Sequence, residues 1–118
     1  MLSGFVMGRV FLALGATDMR KSFNGLSGLV RSQLNSNPLS GDLFVFCNRG
    51  KTRLKILYFD TTGLWVFAKR LERGTFAWPV RDIDTVRLEM RYEELLLLLN
   101  GIETSELKER DHWRRVAS

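Results

Sequence analysis

Between positions 49 and 73 the sequence places seven basic side chains, Arg49, Lys51, Arg53, Lys55, Lys69, Arg70 and Arg73, against two acidic ones, Asp60 and Glu72. Arg53 and Lys55 alternate within a strand-like run, so they share one face of a strand, and Lys69 on a returning strand is expected across from them. Trp65 and Phe67 lie between the charges. Clustered cationic groups attract phosphate backbones by releasing condensed counterions, and neighbouring rings can stack on unpaired bases. A two-stranded ribbon of this kind can also enter a DNA major groove. The seven basic residues are therefore the candidate nucleic-acid contacts. The plainer alternative is that they solvate an exposed face while the aromatics fill the core, and a total charge of +5 is modest for a nucleic-acid domain.

Catalytic chemistry finds less to work with. Asp18, Asp42, Asp60 and Glu72 could in principle gather around two metal ions for phosphoryl transfer. Each has a simpler role: Asp18 as a helix cap, Asp42 and Asp60 at turn borders, Glu72 in a turn beside arginines. His112 lies in a polar, charged stretch, and Cys47 ends an apolar strand as a small buried hydrophobe. There is no Walker-type phosphate loop and no GxSxG elbow. The expectation is a protein that is not an enzyme, with no catalytic residue, no metal and no cofactor.

The elements that must position the basic residues belong to one ordinary domain: 118 residues, 45% hydrophobic and 26% charged. The apolar runs, such as Leu95 to Leu99, fall far short of the ~20 residues a membrane helix needs. The apolar amino terminus carries Arg9 in mid-run, unlike a secretory signal. With one cysteine available, the expected setting is a reducing cytoplasm. Net charge is +2 over residues 1–48, +5 over 49–73 and −2 over 74–118, so the middle is the positive part. Residues 1–102 are expected to form the domain and 103–118 a polar tail or short helix anchored by Trp113.

The expected fold class is α+β, with an N-terminal strand and helix, an antiparallel meander sheet and a C-terminal helix. Gly8 to Leu14 has the β-branched and aromatic content of a first strand. A helix follows, capped by Thr17 or Asp18, with Met19, Phe23, Leu26, Leu29, Val30 and Leu34 as its apolar stripe. Gly25 and Gly28 would let a neighbouring backbone come close. After the breakers of 35–41, Asp42 to Cys47, Arg53 to Asp60 and Leu64 to Leu71 form the meander, with turns at 48–51 and 61–63. Phe76 to Trp78 is expected as a short strand and Val86 to Leu88 as an edge strand. Arg91 to Leu99 is helical by propensity and ends at Asn100-Gly101. Because Leu95 to Leu99 is apolar all round, the helix is expected to be sandwiched inside the fold, the alternative being that one side meets a partner protein.

The string Thr17-Asp18-Met19-Arg20-Lys21-Ser22-Phe23-Asn24-Gly25-Leu26 resembles the helix-opening signature of the TnpB-type accessory protein of the insertion-sequence sixty-six family. Further matching blocks are Leu43-Phe44-Val45-Phe46, Lys55-Ile56-Leu57 with Asp60 and Gly63, Lys69-Arg70-Leu71-Glu72, Gly74, Phe76 and Trp78-Pro79, in the same order over about residues 8–102. Asp18, Arg20, Lys21, Asp60 and Trp78 are the motif positions. The sequence departs from the family pattern at Asn24, where Asp is usual, at Tyr58-Phe59, near a usual tryptophan, and at Glu103, where Asp often stands. The resemblance implies an accessory part in DNA transposition, the strand-cutting acidic triad belonging to a separately encoded transposase. Two readings of the molecular task follow: contact with DNA through the basic strands, or an adaptor that binds the transposase through the Leu95–Leu99 helix.

Overall fold

A computed structural model describes residues 8–80, 82 and 84–102. The expected tail after 102, with His112 and Trp113, lies outside the described residues. The elements run β1 (Val10–Ala13), α1 (Phe23–Ser32), β2 (Leu43–Cys47), β3 (Arg53–Phe59), β4 (Leu64–Arg70), β5 (Arg87–Met90) and α2 (Tyr92–Leu99). One five-stranded sheet has the order β4-β3-β2-β1-β5. The expected meander is present as β2-β3-β4, and β5 pairs antiparallel with β1. β1 and β2 are parallel, because α1 carries the chain across the sheet between them.

The sheet is the middle of three layers. Leu26, Val30 and Leu34 pack with Phe11, Ala13, Phe44, Phe46 and Leu57 on one face. On the other, Leu95 and Leu98 pack with Leu12, Val45, Leu54, Ile56, Phe76 and Trp78. Covering on both sides explains why β2, the central strand, is apolar at every position and buried throughout. β3 keeps the expected alternation, with Leu54, Ile56 and Tyr58 turned to the α2 side.

Four local expectations are corrected. α1 starts at Phe23, and its N-cap residue Ser22 makes no side-chain capping bond. Asp18 does not cap it: its carboxylate accepts from the Arg20 N–H at 2.9 Å and from the Arg20 guanidinium at 2.7 Å. Met19 nevertheless packs against the α1-side core from outside the helix. The helix glycines meet no neighbouring backbone. A Cβ at Gly25 would press on the Lys21 stem, 3.0 Å from its Cβ, and one at Gly28 would meet nothing within 4 Å.

The segment at 76–78 is not a strand. It joins the structure through a bridge between Thr75 and Ile102, and Phe76 and Trp78 are buried in the same core as Leu95 and Leu98 of α2. Finally, α2 is not sandwiched. Leu95 and Leu98 are buried, whereas Leu96 is 48% and Leu97 63% exposed. A helix laid on one sheet face buries one stripe, whatever the composition of the others. Gly101, at φ +74°, ends α2 in the left-handed conformation expected at that boundary.

Candidate nucleic-acid interface

The β3–β4 register decides which basic residues can act together. Arg53 stands opposite Arg70, Leu54 opposite Lys69 and Lys55 opposite Ala68. Cross-strand partners share a face, so Lys69 lies on the α2 side, opposite to Arg53 and Lys55. The expected juxtaposition of Lys69 with Lys55 is thus overturned by a register one residue away from the one assumed. Trp65 and Phe67 share Lys69's face and stack on each other, 5.7 Å apart and 3° from parallel.

Lys55 and Lys69 are also engaged with the backbone. Lys55 Nζ donates to the Lys21 carbonyl at 2.8 Å, tying β3 to the segment before α1. Lys69 Nζ donates to the Leu99 carbonyl at 2.7 Å, where the last turn of α2 leaves carbonyls without helical partners.

The other five basic residues gather at one end of the meander. Arg49 and Lys51 sit on the β2–β3 turn, whose shape is set by Asn48. Its Oδ1 accepts from the N–H groups of Thr52 at 2.9 Å and Arg53 at 3.0 Å, and its Nδ2 donates to Thr52 Oγ1. Lys51 takes a left-handed conformation there, φ +59°. The Leu71 N–H donates to the Thr52 carbonyl at 2.8 Å and the Phe76 N–H to the Lys51 carbonyl at 2.7 Å, which stitches residues 71–76 to the same turn. Arg53, Arg70 and Arg73 therefore join Arg49 and Lys51 at this end. Glu72 lies among them; the Arg70 guanidinium, 2.8 Å away, holds its carboxyl below the ordinary value, with Arg53 adding to the effect. Arg49, Lys51 and Arg53 are exposed, and no ion pair holds Arg49 or Lys51 among the described residues.

The family-motif residues have structural work instead. Asp18 and Arg20 close the turn before α1, and the arginine's hydrogen bonds hold the Asp18 carboxyl down at about 2. Lys21 supplies the carbonyl for Lys55 and the stem over Gly25. Asp60 closes the β3–β4 turn. It accepts from Trp65 Nε1 at 2.8 Å and from the N–H groups of Thr62 and Gly63, and these bonds lower its carboxyl to about 2. Trp78 is core, 8% exposed, with its Nε1 buried and without a partner among the described residues.

The other groups weighed for chemistry are dispersed. Asp42 accepts from the Arg9 N–H and guanidinium and from Ser40 Oγ. Burial pushes the Cys47 thiol up to about 11, so at neutral pH it stays protonated and a weak nucleophile. Among the described residues no three His, Cys, Asp or Glu side chains come together to hold a metal ion, and no helix is long and apolar enough to cross a membrane.

Sequence reasoning missed two features. Asn48 shapes the basic turn, and its preference for bonding to backbone N–H groups a few residues on was the available signal. Arg9 and Arg87 both stand over the Phe11 ring, at 5.0 and 4.8 Å, and Arg87 also donates to the Leu34 carbonyl and to Ser36 Oγ. Nothing local signals that cluster, since β5 reaches β1 from far along the chain.

The fold and this surface define a small three-layer α+β protein whose clustered polar chemistry is cationic. The chain belongs to the IS66 Orf2-like family, whose model matches residues 8–109, somewhat beyond the stretch over which the resemblance was legible. Two relatives come from Sinorhizobium fredii (strain NBRC 101917 / NGR234). The uncharacterized protein y4hO is 41% identical over 95 residues, covering 80% of this chain and 81% of the relative. The uncharacterized protein y4jC is 36% identical over 100 residues, covering 85% and 84%. No solved structure matches. Membership implies an accessory role associated with transposition.

Proposed function

We propose that this protein is a non-enzymatic accessory factor in DNA transposition, acting in the cytoplasm, that contacts nucleic acid through the basic end of its meander. The observation that carries the reading is the gathering of Arg49, Lys51, Arg53, Arg70 and Arg73 at one end of the sheet, on turns whose backbones are tied to each other. A preformed cationic end of this kind suits the phosphate backbone of DNA, whose binding releases counterions and weakens with added salt. Lys55 and Lys69, bonded to carbonyls on opposite faces, drop from the contact set to structural positions.

The test is binding of the purified protein to labelled DNA from the element's terminus and to scrambled DNA across a salt series. Affinity that falls steeply with salt supports the reading, and a preference for the terminus would add sequence recognition to it. Affinity indifferent to salt would overturn it. A second reading rests on the exposed Leu96 and Leu97 of α2: an adaptor that binds the separately encoded transposase. Leu97→Glu should then abolish co-purification with the transposase while leaving the fold intact, because Leu97 points outward.

A further inference from the structure

Among the described residues β4 is an edge strand, bonded to β3 on one side and to no other strand on the other. The bonds Leu71 N–H to Thr52 C=O and Asp60 N–H to Gly63 C=O fix which of its backbone groups face inward. With Leu54 opposite Lys69, the odd-numbered residues of β4 bond to β3. The N–H and C=O groups of Leu64, Val66, Ala68 and Arg70 therefore point outward from the edge. An open, largely apolar edge is a template for a further strand.

We propose that this edge is a self-association surface, pairing β4 antiparallel with β4 of a second copy of this chain about a two-fold axis at Phe67. Backbone parity allows it: Leu64 meets Arg70 of the second copy and Val66 meets its Ala68, so the outward groups of both copies bond to each other. Charge favours it over other registers. The strand is polarised, with Asp60 at its leading turn and Lys69 and Arg70 at its end. Pairing about Phe67 sets Lys69 of one copy, its Nζ held by the Leu99 carbonyl, beside Trp65 of the other, and brings each basic end toward the other copy's Asp60 turn. Sliding the axis to residue 69 or 70 would set lysine against lysine or arginine against arginine, and a parallel arrangement would bring the two cationic ends together.

A stable specific interface of roughly 1,200 Å² needs more than one pair of strands. A two-fold axis perpendicular to the sheet keeps both α2 helices on one face. There the exposed Tyr92 and Leu96 border an apolar groove of about 220 Å³ beside Phe67 and Lys69. That rim continues the apolar stripe of Trp65 and Phe67 and supplies further buried area. The surface shares Arg70 with the basic end, but Arg49 and Lys51 lie on the turn between β2 and β3, outside the paired strand, so their variants and Ala68→Pro tell the two proposals apart.

Sedimentation velocity from micromolar to a few hundred micromolar protein tests the pairing. The wild type is expected to reach a dimer. Ala68→Pro, which removes an outward N–H and no bond to β3, should be monomeric with an unchanged circular dichroism spectrum. Phe67→Cys should cross-link the dimer under mild oxidation, because only this register brings residue 67 of the two copies together; the native Cys47 is buried and does not compete. A wild type that stays monomeric, whether its edge is bare or takes a peptide of another protein, would overturn the proposal. So would a dimer that survives Ala68→Pro, or a failure of Phe67→Cys to cross-link.

Discussion

The two ends of the β3–β4 meander close their turns with opposite chemistry. At the Asp60 end a charged carboxylate closes the turn, and its oxygens are engaged by the N–H groups of Thr62, Gly63 and Trp65. At the other end a neutral amide, Asn48, does the equivalent work, and Arg49 and Lys51 are left facing solvent. Between the ends, Lys55 and Lys69 are bonded to carbonyls of the flanking segments. The difference teaches that a basic residue is available to a ligand when another group has taken over the structural bonds around it.

The largest effect should come from reversing the solvent-facing charges. Arg49→Glu with Lys51→Glu is expected to lower DNA affinity by roughly one to two orders of magnitude near physiological salt and to flatten the salt slope by about two contacts. Its thermal stability should stay close to wild type. Equal affinity in a salt titration would erase the distinction between the two ends.

Next comes the amide. Asn48→Ala removes acceptors from two backbone N–H groups and should cost about 1–2 kcal/mol in denaturant unfolding. By loosening the turn it should also weaken DNA binding while leaving every charge in place. Loss of stability with full affinity would mean that the cations need no fixed turn.

Lys55→Met with Lys69→Met should be milder, roughly 1 kcal/mol of stability for the two carbonyl bonds together, with the salt slope of binding retained. A slope that falls as far as in the Arg49 and Lys51 variant would return both lysines to the contact set.

The smallest effect sharpens the acidic end. Asp60 titrates at about 2 in the folded chain against an ordinary 3.8, because bonds from Trp65, Gly63 and Thr62 favour its charged form. A depressed folded pKa means that the group's contribution is complete above the ordinary value. It fades as pH falls from about 4 to about 2, where the unfolded chain takes up its proton first. Asp60→Asn should therefore show a shallower loss of stability across that window in acid unfolding, and an unchanged acid limb would count against those bonds favouring the charged carboxylate.

Much of this architecture was legible in local pattern. The alternation of Leu54, Ile56 and Tyr58 is a property of consecutive residues, and so is the all-apolar β2, since a strand covered on both faces has no polar side to display. The α1 stripe was legible as well, but its start was not. Asp18 is a good cap by type, yet its carboxylate is taken by Arg20 two residues on, and the helix begins only at Phe23. For α2, leucines all round the helix carried no direction, and only the sheet beneath selected Leu95 and Leu98 for burial.

By itself, the sequence determined the α+β class, the antiparallel meander, the positive middle of the chain and the family, because composition, period-two alternation and ordered motif blocks are all local or additive. Tertiary structure alone decided which cations act together. One residue of register between β3 and β4 sends Lys69 to the face opposite Lys55, and bonds between distant turns collect Arg49, Lys51, Arg53, Arg70 and Arg73 at one end. Register and turn docking depend on contacts between residues far apart in the chain, so no window along the sequence contains them.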